Sequence, residues 1–138
     1  MNILKYNTAV TVKMGPFVSS ADGYTEQTSL TLSQADFRLS KNGGNMAQKS
    51  DSGAGSHDEI GWYDVDLNTT DTNALGRLDI VVSEAGTLPV WSTYMVMSQQ
   101  EYDSFYGSDT LVTSANNLDE VSIDLSELAT SAALVTVG

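Results

Sequence analysis

Three short stretches hold residue types that can do chemistry. "RLSKNGGNMAQ", from Arg38 to Gln48, sets Lys41 beside Asn42, Gly43 and Gly44, the components of a loop that cradles phosphate on backbone N–H groups. "SHDEIGW" puts His57, the single histidine, next to Asp58 and Glu59, a combination suited to metal ligation or proton transfer. "DVDLN" spaces Asp64, Asp66 and Asn68 two apart, like the opening ligands of a calcium loop.

Each stretch fails a test of spacing. A phosphate loop needs its glycines before the lysine and a Ser or Thr opening a helix after it, whereas Lys41 precedes the glycines and no helical period follows. Asn-Gly is instead a strong hairpin signal, because both central residues of a type I′ turn need positive φ, so Asn42, Gly43 and Gly44 read as a hairpin turn. His57 has no second imidazole to work with, and adjacent residues on an extended chain point apart, so it reads as a loop-surface residue. A calcium loop requires Gly at its sixth position and Glu at its twelfth, where this chain has Thr69 and Leu75. "NTT" at Asn68 matches a glycosylation acceptor that has meaning only in a secreted chain. With no nucleophile beside a partner base, the sequence predicts no enzyme, no cofactor and no metal.

Composition narrows the choice further. A chain of 138 residues, 41% hydrophobic, fits one core and buries roughly two thirds of its unfolded surface. The absence of cysteine excludes disulfides, thiolate catalysis and cysteine-based metal sites. All six basic residues (Lys5, Lys13, Arg38, Lys41, Lys49, Arg77) lie in the first 77 positions, and the net charge is −12, which argues against a nucleic-acid partner. No apolar run approaches the roughly 18 residues of a membrane span, and "MNILKYNTAV" has no secretion pattern, so neither membrane insertion nor export is expected.

The elements that must position these residues are mostly strands. "TAVTVKM" alternates Val10, Val12 and Met14 with Thr11 and Lys13, and Pro16 makes it an edge strand. "SLTLS" puts Leu30 and Leu32 on one face and predicts a second strand. "DFRLSK" and "NMAQKS" flank the Asn-Gly turn, and "NMAQKSDSGAGSHDE" reads as an exposed loop. "GWYDVDL" turns Tyr63, Val65 and Leu67 inward with Trp62, Asp64 and Asp66 opposite. Leu78, Ile80 and Val82 share one face of the next strand. Val90, Tyr94 and Val96 lie opposite Trp91, Met95 and Met97 in the strand after it, and the two strands form a hairpin. Ser98 followed by Glu101 is a capping box for a short helix ending near Gly107.

Closely spaced strands without crossover helices predict an antiparallel Ig-like β-sandwich of about seven strands. The expected organisation is a sandwich domain over residues 1–106 with a short helix near 98–106, a linker over 107–120 and a tail over 121–138. Val121, Ile123 and Leu125 alternate, and Leu128, Leu134 and Val135 follow in an alanine-bearing stretch whose conformation periodicity leaves open. Such residues are satisfied by burial against a neighbouring subunit, for instance by adding a strand to an exposed edge.

Leu39-Ser40-Lys41-Asn42-Gly43-Gly44, His57-Asp58-Glu59 followed by Gly61-Trp62-Tyr63, and Thr70-Asp71-Thr72 leading to Leu75-Gly76-Arg77 together resemble a family of small tailed-bacteriophage virion proteins. The resemblance covers roughly Thr8 to Asp109. It implies a structural, non-enzymatic protein of the virion, assembled in the host cytoplasm, that contacts the major capsid protein or a tail or neck protein and forms a homo-oligomer on the particle. A capsid decoration or cement protein is the leading expectation, and a tail or neck adaptor the second. From another class, outward Trp62 or Trp91 would make a carbohydrate-binding module.

Overall fold

The computed structural model describes residues 2–106. Eight strands lie in two sheets: β1 (Asn2–Lys5), β2 (Val10–Met14), β3 (Phe37–Lys41), β4 (Ala47–Gln48), β5 (Ser56–His57), β6 (Tyr63–Leu67), β7 (Gly76–Val82) and β8 (Val90–Met97). The larger sheet has the order β1-β8-β7-β3-β4 and the smaller the order β2-β6-β5. A 3₁₀ turn at Gln34–Asp36 leads into β3, and α1 (Gln99–Tyr106) follows β8. The chain is mainly β with one short α-helix among the described residues. Met1–Gln99 form one compact unit and Gln100 opens a second.

The alternation read from the sequence is the one that the sheets use. Tyr63, Val65 and Leu67 on β6, Leu78, Ile80 and Val82 on β7, and Val90, Tyr94 and Val96 on β8 are all buried, and they share one core with Val12, Met14, Phe37 and Leu39. The inward faces of both sheets therefore meet in a single apolar layer, the burial that drives this architecture. Tyr63 also ties a loop to that core: its hydroxyl donates to the Gln27 carbonyl at 2.7 Å and accepts from the Leu30 N–H at 3.0 Å. Its ring meets Phe17 edge-on at 5.1 Å.

Four expectations need correction. The sheets are not wholly antiparallel, because β1 pairs in parallel with β8 from Asn2 opposite Tyr94 to Lys5 opposite Met97. Four residues are too short to display a period, so β1 was invisible to pattern reading, and with it the strands number eight rather than about seven. "SLTLS" is not a strand. Leu32 is buried, but the Leu32 carbonyl accepts from Gly55 N–H and Leu30 N–H goes to Tyr63, so the backbone is satisfied without a ladder. The stretch after the Asn-Gly turn is not a plain exposed loop either: it supplies β4 and β5 and buries Lys49.

Two turns are set by left-handed residues. Asn42 and Gly43 have φ of 53° and 75°, and Gly44 N–H donates to the Lys41 carbonyl at 3.0 Å, the geometry of a type I′ turn. Ile60 and Gly61 have φ of 46° and 79° between β5 and β6, closed by Trp62 N–H to the Glu59 carbonyl at 2.9 Å.

Candidate functional site

The groups with chemical potential in the sequence are largely occupied by the protein's own backbone. Lys41 Nζ donates to the Thr70 carbonyl at 2.6 Å and to Asn73 Oδ1 at 2.7 Å, so the lysine of the glycine-bearing turn is a strap to the β6–β7 connection. Asn42 Nδ2 donates to the Leu75 carbonyl at 2.8 Å while its Oδ1 accepts from Arg77 N–H at 3.0 Å. Together these bonds fasten the β3–β4 turn to the start of β7.

His57 and its acidic neighbours do not converge. His57 Nε2 accepts from Gly61 N–H at 3.3 Å and its ring meets Tyr63 edge-on at 5.1 Å. Through that bond the imidazole braces the Ile60-Gly61 turn. Asp58 instead joins Asp64 on the ammonium of Lys13, at 2.9 and 2.6 Å. Hydrogen bonds from Lys13 to Asp64 and then to Asp58 raise the lysine above its ordinary value. Asp66 takes the Thr11 hydroxyl at 2.5 Å, and Asn68 Oδ1 caps a turn by accepting from Thr70 and Asp71 N–H. Among the described residues no group of three or more His, Asp or Glu is placed to hold a metal ion.

Sequence reasoning missed a buried polar tie. Asp71, 3% exposed, accepts from the N–H groups of Ser50, Asp51 and Asn68 at 2.7, 3.1 and 3.0 Å. Thr72 is fully buried and exchanges two hydrogen bonds with the backbone of Thr8. The Lys49 ammonium donates to the carbonyls of Asp51 and Gly53 at 2.9 and 2.7 Å and sits 5.3 Å from the centre of the Phe37 ring. Gly53 N–H and then Lys49 hold the Asp51 carboxyl below its usual range. "NTTDT" signals an Asx-rich turn. Nothing in it foretells that Asp71 accepts hydrogen bonds from the N–H groups of residues about twenty positions earlier. A cavity of about 400 Å³ beside this tie is lined by Leu39, Lys41, Gln48, Ser50, Thr70 and Asp71, with both charged groups already engaged.

The two outward sheet faces differ in charge. On the smaller sheet Asp64 and Asp66 stand with Thr11 and Lys13. On the larger sheet, register places Arg38 beside Val81 and Val81 beside Trp91, then Asp79 beside Thr93, Arg77 beside Met95, and Met95 and Met97 beside Ile3 and Lys5. That face carries three of the six cations against one carboxylate, and Asp79 is taken up by Arg77 Nε at 3.0 Å and the Thr93 hydroxyl at 2.7 Å. Trp91 is 69% exposed at its upper end, where a shallow groove of about 250 Å³ runs past Pro16 and Pro89. Trp62 is half-buried.

The chain matches no family model, no curated protein and no solved structure. Among the described residues the sheets end in β1 and β4 and in β2 and β5; β1 and β2 are four and five residues long, whereas β4 and β5 are only two. Val121, Ile123, Leu125, Leu128, Leu134 and Val135 lie outside the described residues.

Proposed function

We propose that the protein is a non-enzymatic structural component of a bacteriophage virion, a decoration or cement protein that binds the capsid exterior through protein–protein contacts. The observation that carries this reading is the outward face of the larger sheet. On a chain of net charge −12, it gathers Lys5, Arg38 and Arg77 around Trp91, Val81 and Met95, the mixture of aromatic, Met and Arg typical of interface centres. The likeness of the "LSKNGG", "HDE" and "GWY" stretches to small virion proteins supports it from the sequence side. In this reading the two sheets are a variant of an Ig-like sandwich, and Val121, Ile123, Leu125, Leu128, Leu134 and Val135 contact a neighbouring subunit.

Quantitative mass spectrometry of purified particles tests the proposal. Hundreds of copies per particle are expected of a decoration protein, whereas about a dozen or fewer would mark a tail or neck adaptor. Deleting residues 118–138 is expected to abolish particle occupancy, and unchanged occupancy would reject the contact mechanism.

A second reading rests on Trp91, whose exposed ring beside Pro16 and Pro89 offers a flat surface for stacking a sugar. Saturable quenching of tryptophan fluorescence by an oligosaccharide, lost in Trp91→Ala, would favour a carbohydrate-binding module. A flat titration across a glycan panel removes it.

A further inference from the structure

We propose that Asn42 is a site of spontaneous deamidation, held closed by the bonds that fasten the β3–β4 turn to β7, so that the residue records the time a chain spends with those bonds open. The reaction takes water as its only co-reactant and needs no second protein.

Asn42 is the only asparagine of the chain that precedes a glycine. Glycine has no β-carbon to shield its N–H, so in an Asn-Gly pair the main-chain nitrogen reaches the preceding side chain most readily. The Gly43 nitrogen gives up its proton and bonds to Asn42 Cγ, while the bond from Cγ to Nδ2 breaks. The proton leaves with the amine as ammonia. Water then opens the five-membered imide at either of its carbonyls. Asparagine and water thus become ammonia and aspartate, or isoaspartate where the main chain is left running through the side-chain carbons. Nothing is oxidised or reduced.

Asn42 and Gly43 are exposed, so water has access to both. What the fold withholds is the approach of Cγ to the Gly43 nitrogen. Asn42 Oδ1 accepts from Arg77 N–H at 3.0 Å and Nδ2 donates to the Leu75 carbonyl at 2.8 Å, while Asn42 N–H donates to the Arg77 carbonyl at 2.8 Å. Both ends of the amide are therefore tied to the start of β7. The backbone is tied as well. Gly44 N–H on the Lys41 carbonyl keeps the type I′ turn, whose ψ at Asn42 is far from the one that the imide ring imposes. Ring closure requires the two side-chain bonds and the turn to open together.

Conversion then works against reclosing. Aspartate keeps an oxygen for Arg77 N–H, but in place of the Nδ2 donor it turns a second oxygen toward the Leu75 carbonyl, acceptor against acceptor. Isoaspartate adds a carbon to the main chain inside a two-residue turn, which no longer matches the pairing of β3 with β4. An opening that lasts long enough for the chemistry is thereby made permanent.

Peptide-mapping mass spectrometry of the full chain tests this, after ageing at one temperature and one mildly alkaline pH. The tryptic peptide from Asn42 to Lys49 carries the site, and fragment ions separate it from Asn45. In native wild type Asn42 is expected to convert about tenfold more slowly, or slower still, than in the same chain unfolded in guanidinium chloride, the ratio that two side-chain hydrogen bonds impose. Gly76→Ala, whose β-carbon would occupy the place of Asn42 Oδ1, should lose most of this protection while circular dichroism still shows the fold. Should Gly76→Ala not fold, the native-to-unfolded ratio of wild type decides alone. Asn42→Asp should lower the urea midpoint. Equal rates in native and unfolded wild type overturn the proposal, as does conversion in the unfolded chain that falls mainly on another asparagine. A folded Gly76→Ala as well protected as wild type shows that the side-chain bonds are not what holds the site closed. A wild-type midpoint in Asn42→Asp overturns the claim that conversion works against reclosing.

Discussion

The side-chain oxygen of Asn42 fills the space that a β-carbon on Gly76 would need. Such a carbon would lie 2.2 Å from Asn42 Oδ1, and Gly76 has φ of 108°. That oxygen is committed to Arg77 N–H and the amide nitrogen of the same side chain to the Leu75 carbonyl. A left-handed turn residue and a glycine thirty-four positions later thus form one joint between β3 and β7.

We predict that Gly76→Ala destabilises the protein by about 3 kcal/mol, combining an unfavourable φ with the loss of two side-chain hydrogen bonds. Asn42→Gly should cost less, because it keeps the turn. The double variant should cost less than the sum, since removing Asn42 clears the clash. Urea denaturation of the four proteins gives the cycle.

Ile60 holds φ of 46° while 56% exposed, so a β-branched side chain stands in a left-handed position with little burial in return. Ile60→Asn is predicted to raise stability by about 1 kcal/mol, as Asn42 tolerates the equivalent site of the other turn. A lower urea midpoint would contradict the strain assigned to Ile60.

Lys49 has a side chain with no solvent exposure, and its ammonium satisfies the carbonyls of Asp51 and Gly53. Lys49→Met keeps the buried stem and removes the donor, and is predicted to cost about 3 kcal/mol through the orphaned acceptors. If the change proves neutral in chemical denaturation, the amine is not what orders residues 49–53.

The Asp22 carboxyl is held down at about 2 by the Thr25 hydroxyl first, then by the N–H groups of Thr25 and Tyr24. A carboxyl lowered on folding adds stability that is complete above its unfolded value of 3.8 and is lost as pH falls through the folded one. We expect an NMR titration midpoint for Asp22 near 2 in the native chain, moving toward 3.8 in Thr25→Val. A midpoint unchanged by that substitution would show that the hydroxyl is not the main cause.

Tyr94 is 2% exposed, and its hydroxyl has no hydrogen bond of good geometry among the described residues. Burial raises the phenol above its ordinary value, and nearby Ser92 offsets this only in part. Tyr94→Phe is therefore predicted to be neutral or stabilising by up to about 1 kcal/mol, because no donor or acceptor is orphaned. A loss above that size in thermal or urea unfolding would reveal a partner for the hydroxyl.

Much of the core was legible from period-two alternation, because Tyr63, Val65, Leu67, Leu78, Ile80, Val82, Val90, Tyr94 and Val96 needed only a pleated backbone to choose their side. Alternation misled at Leu30 and Leu32, where an extended segment buries a leucine yet finds its hydrogen bonds on Tyr63 and Gly55. It was silent at β1, whose four residues become a strand only because β8 lies alongside. The opening candidates were likewise half legible. Spacing rules excluded a phosphate loop at Lys41 and a calcium loop at Asp64, but could not tell that Lys41 straps Thr70 or that Asp64 shares Lys13 with Asp58.

The sequence by itself determined the β character, the inward residues and the Asn-Gly turn, since these follow from local sterics and the two-residue repeat of a strand. Only the tertiary structure decided strand order, the parallel pairing of β1, the burial of Lys49 and Asp71, and the gathering of Lys5, Arg38 and Arg77 on one face. The Asp71 tie and the β1–β8 pairing join residues twenty to ninety positions apart. Contacts of that kind depend on which strands become neighbours, and local preference along the chain does not specify it.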